Sequence, residues 1–166
     1  MRADFKLQGL DGVLHVLQQL PPEVVSKRGG PVRAALRKGA KVIHTQALAN
    51  LQATLDAEGD EGERYSTGLL LKNLVVTRGK EPAGTKGERY LVRVRRKSYQ
   101  RKGAAVTTLK TAQIKEYGSV KQPPAPWLVP AFKARAREAI AVIERETWAA
   151  VQRAVKKLAR QRGGVR

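Results

Sequence analysis

Residues 31–55, PVRAALRKGAKVIHTQALANLQATL, decide the fold class because they carry one apolar stripe at helical spacing. The apolar residues recur every three or four positions, the spacing at which side chains return to one face of an α-helix. Pro31 suits the first helical position, where a backbone N–H has no partner within the helix. The pattern predicts a long helix that packs along one side. The residues of the stripe are Val32, Leu36, Ala40, Ile43, Ala47, Leu51 and Leu55.

Two other stretches have the same spacing. Apolar residues from Ala131 onward recur at helical intervals until Gly163 and Gly164 end the pattern, which predicts a second long helix. Near the start of the chain, 10–20 predicts a short amphipathic helix that Pro21 terminates.

Strand patterns lie between the two long helices. Tyr90, Val92 and Val94 alternate with Leu91, Arg93 and Arg95, and the turn-forming segment 79–87, GKEPAGTKG, precedes them. Together with 73–78, this strand predicts an antiparallel hairpin. The apolar run 69–76 is compatible with a buried helix, a strand, or one followed by the other, and 106–109 is a candidate for a further strand. The predicted fold is therefore α+β: a small antiparallel sheet packed against two long helices, with a short N-terminal helix, in a single domain, 1–166.

Two strongly charged segments interrupt these elements. Residues 56–63, DAEGDEGE, have no large apolar side chain to bury and predict a mobile acidic loop. Residues 93–102, RVRRKSYQRK, continue beyond the strand with many like charges, which predicts a mobile basic loop over 95–103. The proline-rich segment 122–130 predicts an extended connector.

Net charge points to a polyanionic partner. The chain has 33 Lys and Arg against 14 Asp and Glu, a formal net charge of +19. This exceeds what solubility requires, and duplex DNA is the commonest polyanion that attracts such a protein without regard to sequence. The alternative is that the charges face acidic protein partners, or simply solvent. The residues predicted to face DNA or an acidic partner are Arg93, Arg95, Arg96, Lys97, Arg101 and Lys102.

The composition also argues against several classes of protein. The chain has no cysteine, so it has neither disulfides nor thiolate metal ligands. No run is long and apolar enough to predict a membrane span, and charged residues interrupt the first 20 positions where a signal peptide would lie. We therefore expect no contact with a membrane.

No pattern in the chain predicts catalysis. His15 and His44 lack the spacing of a metal-binding pair, and the glycine-rich and nucleophile motifs of common enzymes are missing. Residues 56–60 have the spacing of a calcium loop, but Glu61 and Thr67 stand where that loop needs glycine and glutamate. We expect no enzyme activity, no metal and no cofactor.

Three stretches, in this order, resemble the neck or tail-completion proteins that join head and tail in long-tailed bacteriophages. The first comprises GLDGVLHVLQQLPPEV at 9–24 and ALRKGAKVIHTQA at 35–47. The second is STGLLLKNLVV at 66–76. The third, EYGSVKQPPAPWLVPAF at 116–132, is the most specific: an acidic-aromatic-glycine triplet precedes a proline-rich turn and an aromatic-leucine pair. The acidic insertion, the long basic run and Trp127, where phenylalanine is usual, depart from the family.

The resemblance implies a structural virion protein that works by assembly and not by catalysis. Its expected partners are copies of itself, forming a ring, and the head-completion and tail-terminator or tail-tube proteins around the packaged duplex DNA. Its expected location is the virion neck, after assembly in the cytoplasm of the host bacterium. The alternative is an autonomous DNA-binding protein that ignores base sequence.

The third stretch supplies the residues expected to anchor either the core or an assembly contact. Trp127 has the largest apolar area in the proline-rich arm. Trp127, Leu128 and Phe132 either fill the core of the domain itself or dock on an adjacent subunit. The full set is Glu116, Tyr117, Gly118, Pro126, Trp127, Leu128, Pro130 and Phe132.

Overall fold

The computed structural model describes residues 30–57, 68–80, 88–101 and 103–163. Over these residues the chain has a mixed α+β fold, as predicted, with two long helices, two short helices and two small antiparallel sheets. The elements in chain order are α1 (Gly30–Ala57), α2 (Leu69–Asn73), β1 (Leu74–Arg78), β2 (Tyr90–Val94), β3 (Ser98–Arg101), β4 (Ala104–Thr107), α3 (Thr108–Tyr117) and α4 (Leu128–Gly163). The predicted N-terminal helix lies outside the described residues.

The two long helices follow the apolar stripes. Helix α1 has 28 residues and α4 has 36, and Ala47 and Leu51 of the α1 stripe are fully buried. The prediction that α4 starts at Ala131 was wrong by three residues, because α4 starts at Leu128. Pro130 then lies in the first turn, where its missing N–H removes no helical hydrogen bond.

The ambiguous run 69–76 contains a helix followed by a strand. Helix α2 ends at Asn73 and β1 starts at the next residue. The predicted hairpin of β1 and β2 is confirmed: Gly79 N–H donates to Arg89 O at 2.8 Å, and Arg95 N–H donates to Asn73 O at 2.8 Å. The two bonds lie at opposite ends of the strands, as antiparallel pairing requires.

The prediction of a loop over 95–103 was wrong for its middle part. Ser98–Arg101 forms β3, which pairs antiparallel with β4, and Tyr99 lies opposite Val106. Repulsion between like charges does not prevent this pairing, because Arg95, Arg96 and Lys97 precede the strand and are exposed to solvent. The candidate strand 106–109 ends at Thr107, and α3, which was not predicted, begins at the next residue.

The acidic segment was expected to begin at Asp56. Instead, Asp56 and Ala57 form the end of α1, while 58–67 lie outside the described residues. The Asp56 carboxylate accepts a 2.7 Å hydrogen bond from Gln52, one turn earlier, which helps to extend the helix.

The chain divides into two compact units. The described residues of the first, the sheet unit, are 40–57, 68–77, 90–101 and 103–135. Its core is formed by buried side chains from α1, α2, β1, α3, the segment just before α4 and the start of α4. They are Ala47, Leu51, Leu70, Leu74, Ala112, Trp127 and Ala131.

The second unit, the helix unit, has as its described residues 30–39, 78–80, 88–89 and 136–163. Its helices approach closely at Gly39, where an added Cβ would lie 2.4 Å from Ile143 Cγ1. Such a distance is far inside van der Waals contact, so this position needs glycine. Lys38 Nζ also donates to Glu146 Oε2 at 2.6 Å.

A second ion cluster in the helix unit centres on Glu88. Arg78 donates to both carboxylate oxygens at 2.8 Å, and Arg33 donates to Oε1 at 3.0 Å. The hydrogen bond from Arg78 is the main reason that the pKa of Glu88 lies below its ordinary value, with Arg33 adding to the effect. The cluster therefore ties the turn end of the hairpin to α1.

Candidate functional site

Four of the six predicted basic contact residues form one exposed surface in the sheet unit. We call this the basic strand surface: Arg93, near the end of β2, and Arg95, Arg96 and Lys97, which follow it. All four side chains are exposed. Arg101 contributes its backbone to β3, while its side chain and all of Lys102 lie outside the described residues.

A buried threonine holds the backbone of this surface in place. Thr108, only 1% exposed, donates its hydroxyl to Arg95 O at 2.6 Å and accepts from Lys97 N–H at 2.9 Å. Its own N–H donates to Lys97 O at 2.9 Å. Three bonds with one residue therefore hold the carbonyl of Arg95 and both backbone groups of Lys97 in a segment that belongs to no strand.

The hairpin of β3 and β4 is tied to α3 by further threonines. Tyr99 Oη and Thr111 Oγ1 are 2.6 Å apart, and the Thr107 hydroxyl caps α3 by accepting from Lys110 N–H at 3.3 Å. Sequence reasoning missed these residues. The available signal was the threonine pair at 107–108 before a helical segment, since threonine favours the N-cap.

The basic strand surface borders an open depression of about 560 Å³. It is lined by Val94, Leu109 and the four cations. No carboxylate lines it among the described residues. A row of exposed cations on a fixed backbone is suited to contacts with phosphate oxygens, and such contacts carry no base specificity.

The Glu116 carboxylate has a specific structural task. Its Oε2 accepts backbone N–H bonds from Trp127 at 2.9 Å and Leu128 at 2.8 Å, and its Oε1 accepts from Val129 at 2.9 Å. These N–H groups lie at the start of α4, where no helical carbonyl is available to accept them. A buried side chain of α3 therefore caps the N-terminus of α4 and places a negative charge at the positive end of its dipole.

Gly118 makes the turn that allows this capping. Its φ of 79° is in the left-handed region, and an added Cβ would lie 2.9 Å from Pro124 N. The chain then returns toward α3, where Ala125 N–H donates to Lys115 O at 2.7 Å. Both the backbone conformation and the lack of space therefore require glycine at this position.

Trp127 fills the core of the sheet unit, with 1% of its surface exposed. Its backbone O accepts from Asn50 Nδ2 at 3.1 Å, and its indole Nε1 finds no acceptor among the described residues. Leu128 packs against the same core, and Phe132 is half-buried. Of the two alternatives for Trp127, the structure shows the internal one.

Other residues of this stretch face outward. Tyr117 is 64% exposed and Val120 is fully exposed, in a turn closed by mutual backbone bonds between Ser119 and Gln122. Pro126 and Pro130 are also exposed. The stretch therefore has a buried side, which fixes the start of α4, and an exposed side with two large apolar residues.

The described side chains include no group of three or more His, Asp or Glu placed to hold a metal ion. His44 Nε2–H donates to Leu74 O at 2.9 Å, which gives this histidine a structural role. His15 lies outside the described residues. Within the described ranges, no helix is both long and apolar enough to cross a membrane.

No protein-family model, curated protein or solved structure matches this chain.

Proposed function

We propose that the chain is a structural protein of the head–tail junction in a tailed bacteriophage, acting through assembly around the DNA passage. The observation that carries this proposal is the stretch 116–132, whose sequence resembles the neck and tail-completion proteins. Some of its distinctive residues fix the connection between α3 and α4, and others are exposed and available for contact with a neighbouring subunit.

The rigid half of this stretch supports an assembly function. Glu116, Gly118 and Trp127 together fix where α4 starts relative to α3 within the sheet unit. Because several contacts fix this connection, the exposed surface beside it keeps one conformation before any partner binds. Pre-organisation of this kind reduces the entropic cost of association.

The exposed half supplies the contact. Tyr117 and Val120 are large apolar side chains left in solvent on a chain of high charge. A subunit contact would bury them, and we propose a neighbouring copy of the chain in a ring as the partner. Head-completion and tail-terminator or tail-tube proteins would then contact the two faces of that ring.

The basic strand surface is proposed to face the packaged DNA. Its arginine and lysine side chains would neutralise phosphates without contacting bases, so DNA of any sequence could pass. A protein with this task needs no reactive groups. We therefore expect the purified protein to leave DNA intact in the presence of any divalent metal.

A second candidate is an autonomous DNA-binding protein, favoured by the same basic surface. It predicts tight, salt-sensitive binding by the isolated chain and absence from virions. A junction protein instead binds DNA weakly alone and is found in virions at a fixed copy number.

The test is deletion and complementation in the phage that encodes the chain. Deletion should leave filled heads and separate tails, and the wild-type gene should restore joined particles. The double variant Tyr117→Ser and Val120→Ser should stay folded but join poorly, whereas Lys121→Ser in the same turn should join normally. Normal infectivity without the gene, or absence of the protein from virions, would overturn the proposal.

A further inference from the structure

The C-terminal part of α4 carries an unusual charge distribution. Glu146 is the last Asp or Glu of the sequence, and the residues after it include six Lys and Arg. Glu146 itself is already paired with Lys38 at 2.6 Å. The end of the helix is therefore cationic without a carboxylate of its own to neutralise it.

Four described cations of this region share one helix face. Arg145, Arg153, Lys156 and Arg160 are all exposed. At about 100° per residue they fall within a sector of about 80°, and they extend over about 22 Å of helix. We call this sector the cationic helix face.

Over 143–151 the opposite face of α4 is buried. Ile143, Thr147 and Val151 are between 3% and 6% exposed. The helix is therefore held by the helix unit on one side and presents its cations on the other. No carboxylate bonds to Lys156 or Arg160 among the described side chains.

Two simpler explanations account for only part of this arrangement of cations. Cations stabilise the negative C-terminal end of a helix dipole, but the effect fades within the last turn, so it does not explain Arg145 or Arg153. Binding to an anionic membrane needs an exposed apolar face beside the cations. Over 143–151 the apolar face is buried, and Trp148, 53% exposed, is a large apolar side chain next to the cationic helix face.

We propose that the cationic helix face is a second contact surface for the phosphate backbone of duplex DNA, in addition to the basic strand surface. A row of cations along one helix face offers contacts to the phosphates of a duplex, independent of base sequence. The choice of DNA as the polyanion rests on the proposed function. The surface itself rests on the geometry of α4.

The test compares two variants that lose the same charge. In the helix variant, Arg145, Arg153, Lys156 and Arg160 are replaced by glutamine, which favours helix nearly as well as lysine. In the control variant, four exposed cations elsewhere are replaced by glutamine: Lys41, Lys72, Lys121 and Lys133. Affinity for a short duplex of random sequence is measured across a series of NaCl concentrations, and far-UV circular dichroism checks helix content.

Each lost phosphate contact should lower the slope of log affinity against log salt by roughly 0.9. The helix variant should therefore lose about 3 to 4 units of slope if all four contacts form, and the control variant less than one. Equal slopes in the two folded variants would overturn the proposal. So would preferential binding of the wild-type protein to vesicles of phosphatidylserine and phosphatidylcholine over duplex DNA.

A measurement on the wild-type protein removes any dependence on how the variants fold. Duplex DNA should protect Lys156 from acetylation by a soluble reagent, read by mass spectrometry, while Lys41 and Lys72 stay reactive. Equal reactivity of Lys156 with and without DNA would also overturn the proposal. These readouts are separate from particle joining, so a failure of the second contact surface can be distinguished from a failure of the junction function.

Discussion

Replacing Glu116 tests whether one carboxylate joins α3 to α4. In Glu116→Ala three backbone N–H groups lose their acceptor, and that of Trp127 is in a buried bond. A buried donor left without a partner costs about 1 to 3 kcal/mol, whereas the two outer groups gain water and cost less. Loss of an N-cap typically costs about 1 kcal/mol. We expect the free energy of unfolding to fall by about 2 to 4 kcal/mol.

The free energy of unfolding of Glu116→Gln should lie between the values for Glu116→Ala and the wild-type protein. Its amide oxygen still accepts the two bonds at the Oε2 position, but its NH2 group faces the Val129 N–H and the negative charge is lost. We expect a loss of about 1 to 2 kcal/mol. The assay is urea unfolding followed by circular dichroism, with Lys133→Gln as a control that removes an exposed charge from α4. The reasoning is refuted if Glu116→Ala unfolds within about 0.5 kcal/mol of wild type, the range of ordinary surface substitutions.

Three other predictions follow from the same structure. Trp127→Ala should lower the free energy of unfolding by about 3 to 5 kcal/mol because the side chain is buried. Trp148→Ala should lower it by clearly less because that side chain is 53% exposed, and an equal effect in urea titrations would contradict the assigned burial. Thr108→Val keeps the shape of the side chain but loses the hydroxyl bonds that hold the basic strand surface. The free energy of unfolding should fall by about 1 to 3 kcal/mol, and hydrogen exchange of the Lys97 amide should accelerate. Unchanged exchange would show that Thr108 does not hold this segment. The pKa of the Glu88 carboxyl is lower in the folded chain, so its stabilising effect is present above the ordinary value of 4.5 and is lost as pH falls through the lower folded pKa. The melting temperature of Glu88→Gln should therefore depend less on acidic pH than that of the wild-type protein. Identical pH profiles of the two melting temperatures would refute this prediction.

Local periodicity predicted the elements whose pattern repeats over many residues. The stripe from Val32 to Leu55 gave α1, and the alternation from Tyr90 to Val94 gave β2. Both patterns follow from geometry, since a helix or strand with one buried face must place apolar residues at its own period. Gly118 could also be assigned to a turn, because the proline-rich stretch after it cannot continue a helix.

Charge density was a weaker guide. It placed the basic residues on an exposed surface but also predicted a loop where β3 and β4 pair. The sequence shows how many charges lie close together along the chain. It does not show whether the backbone between them finds hydrogen-bond partners, which in this protein come from Thr108 and from the strand 104–107.

By itself, the sequence determined the fold class, the two long helices, the first hairpin and the excess of positive charge. Only the tertiary structure decided that Trp127 points into the core, that Glu116 caps α4 and that Thr108 holds the basic strand surface. Each of these contacts joins residues separated by about ten positions or more, and no local period encodes such a pairing. They form because burial removes water from backbone groups, which must then find partners wherever the fold brings them.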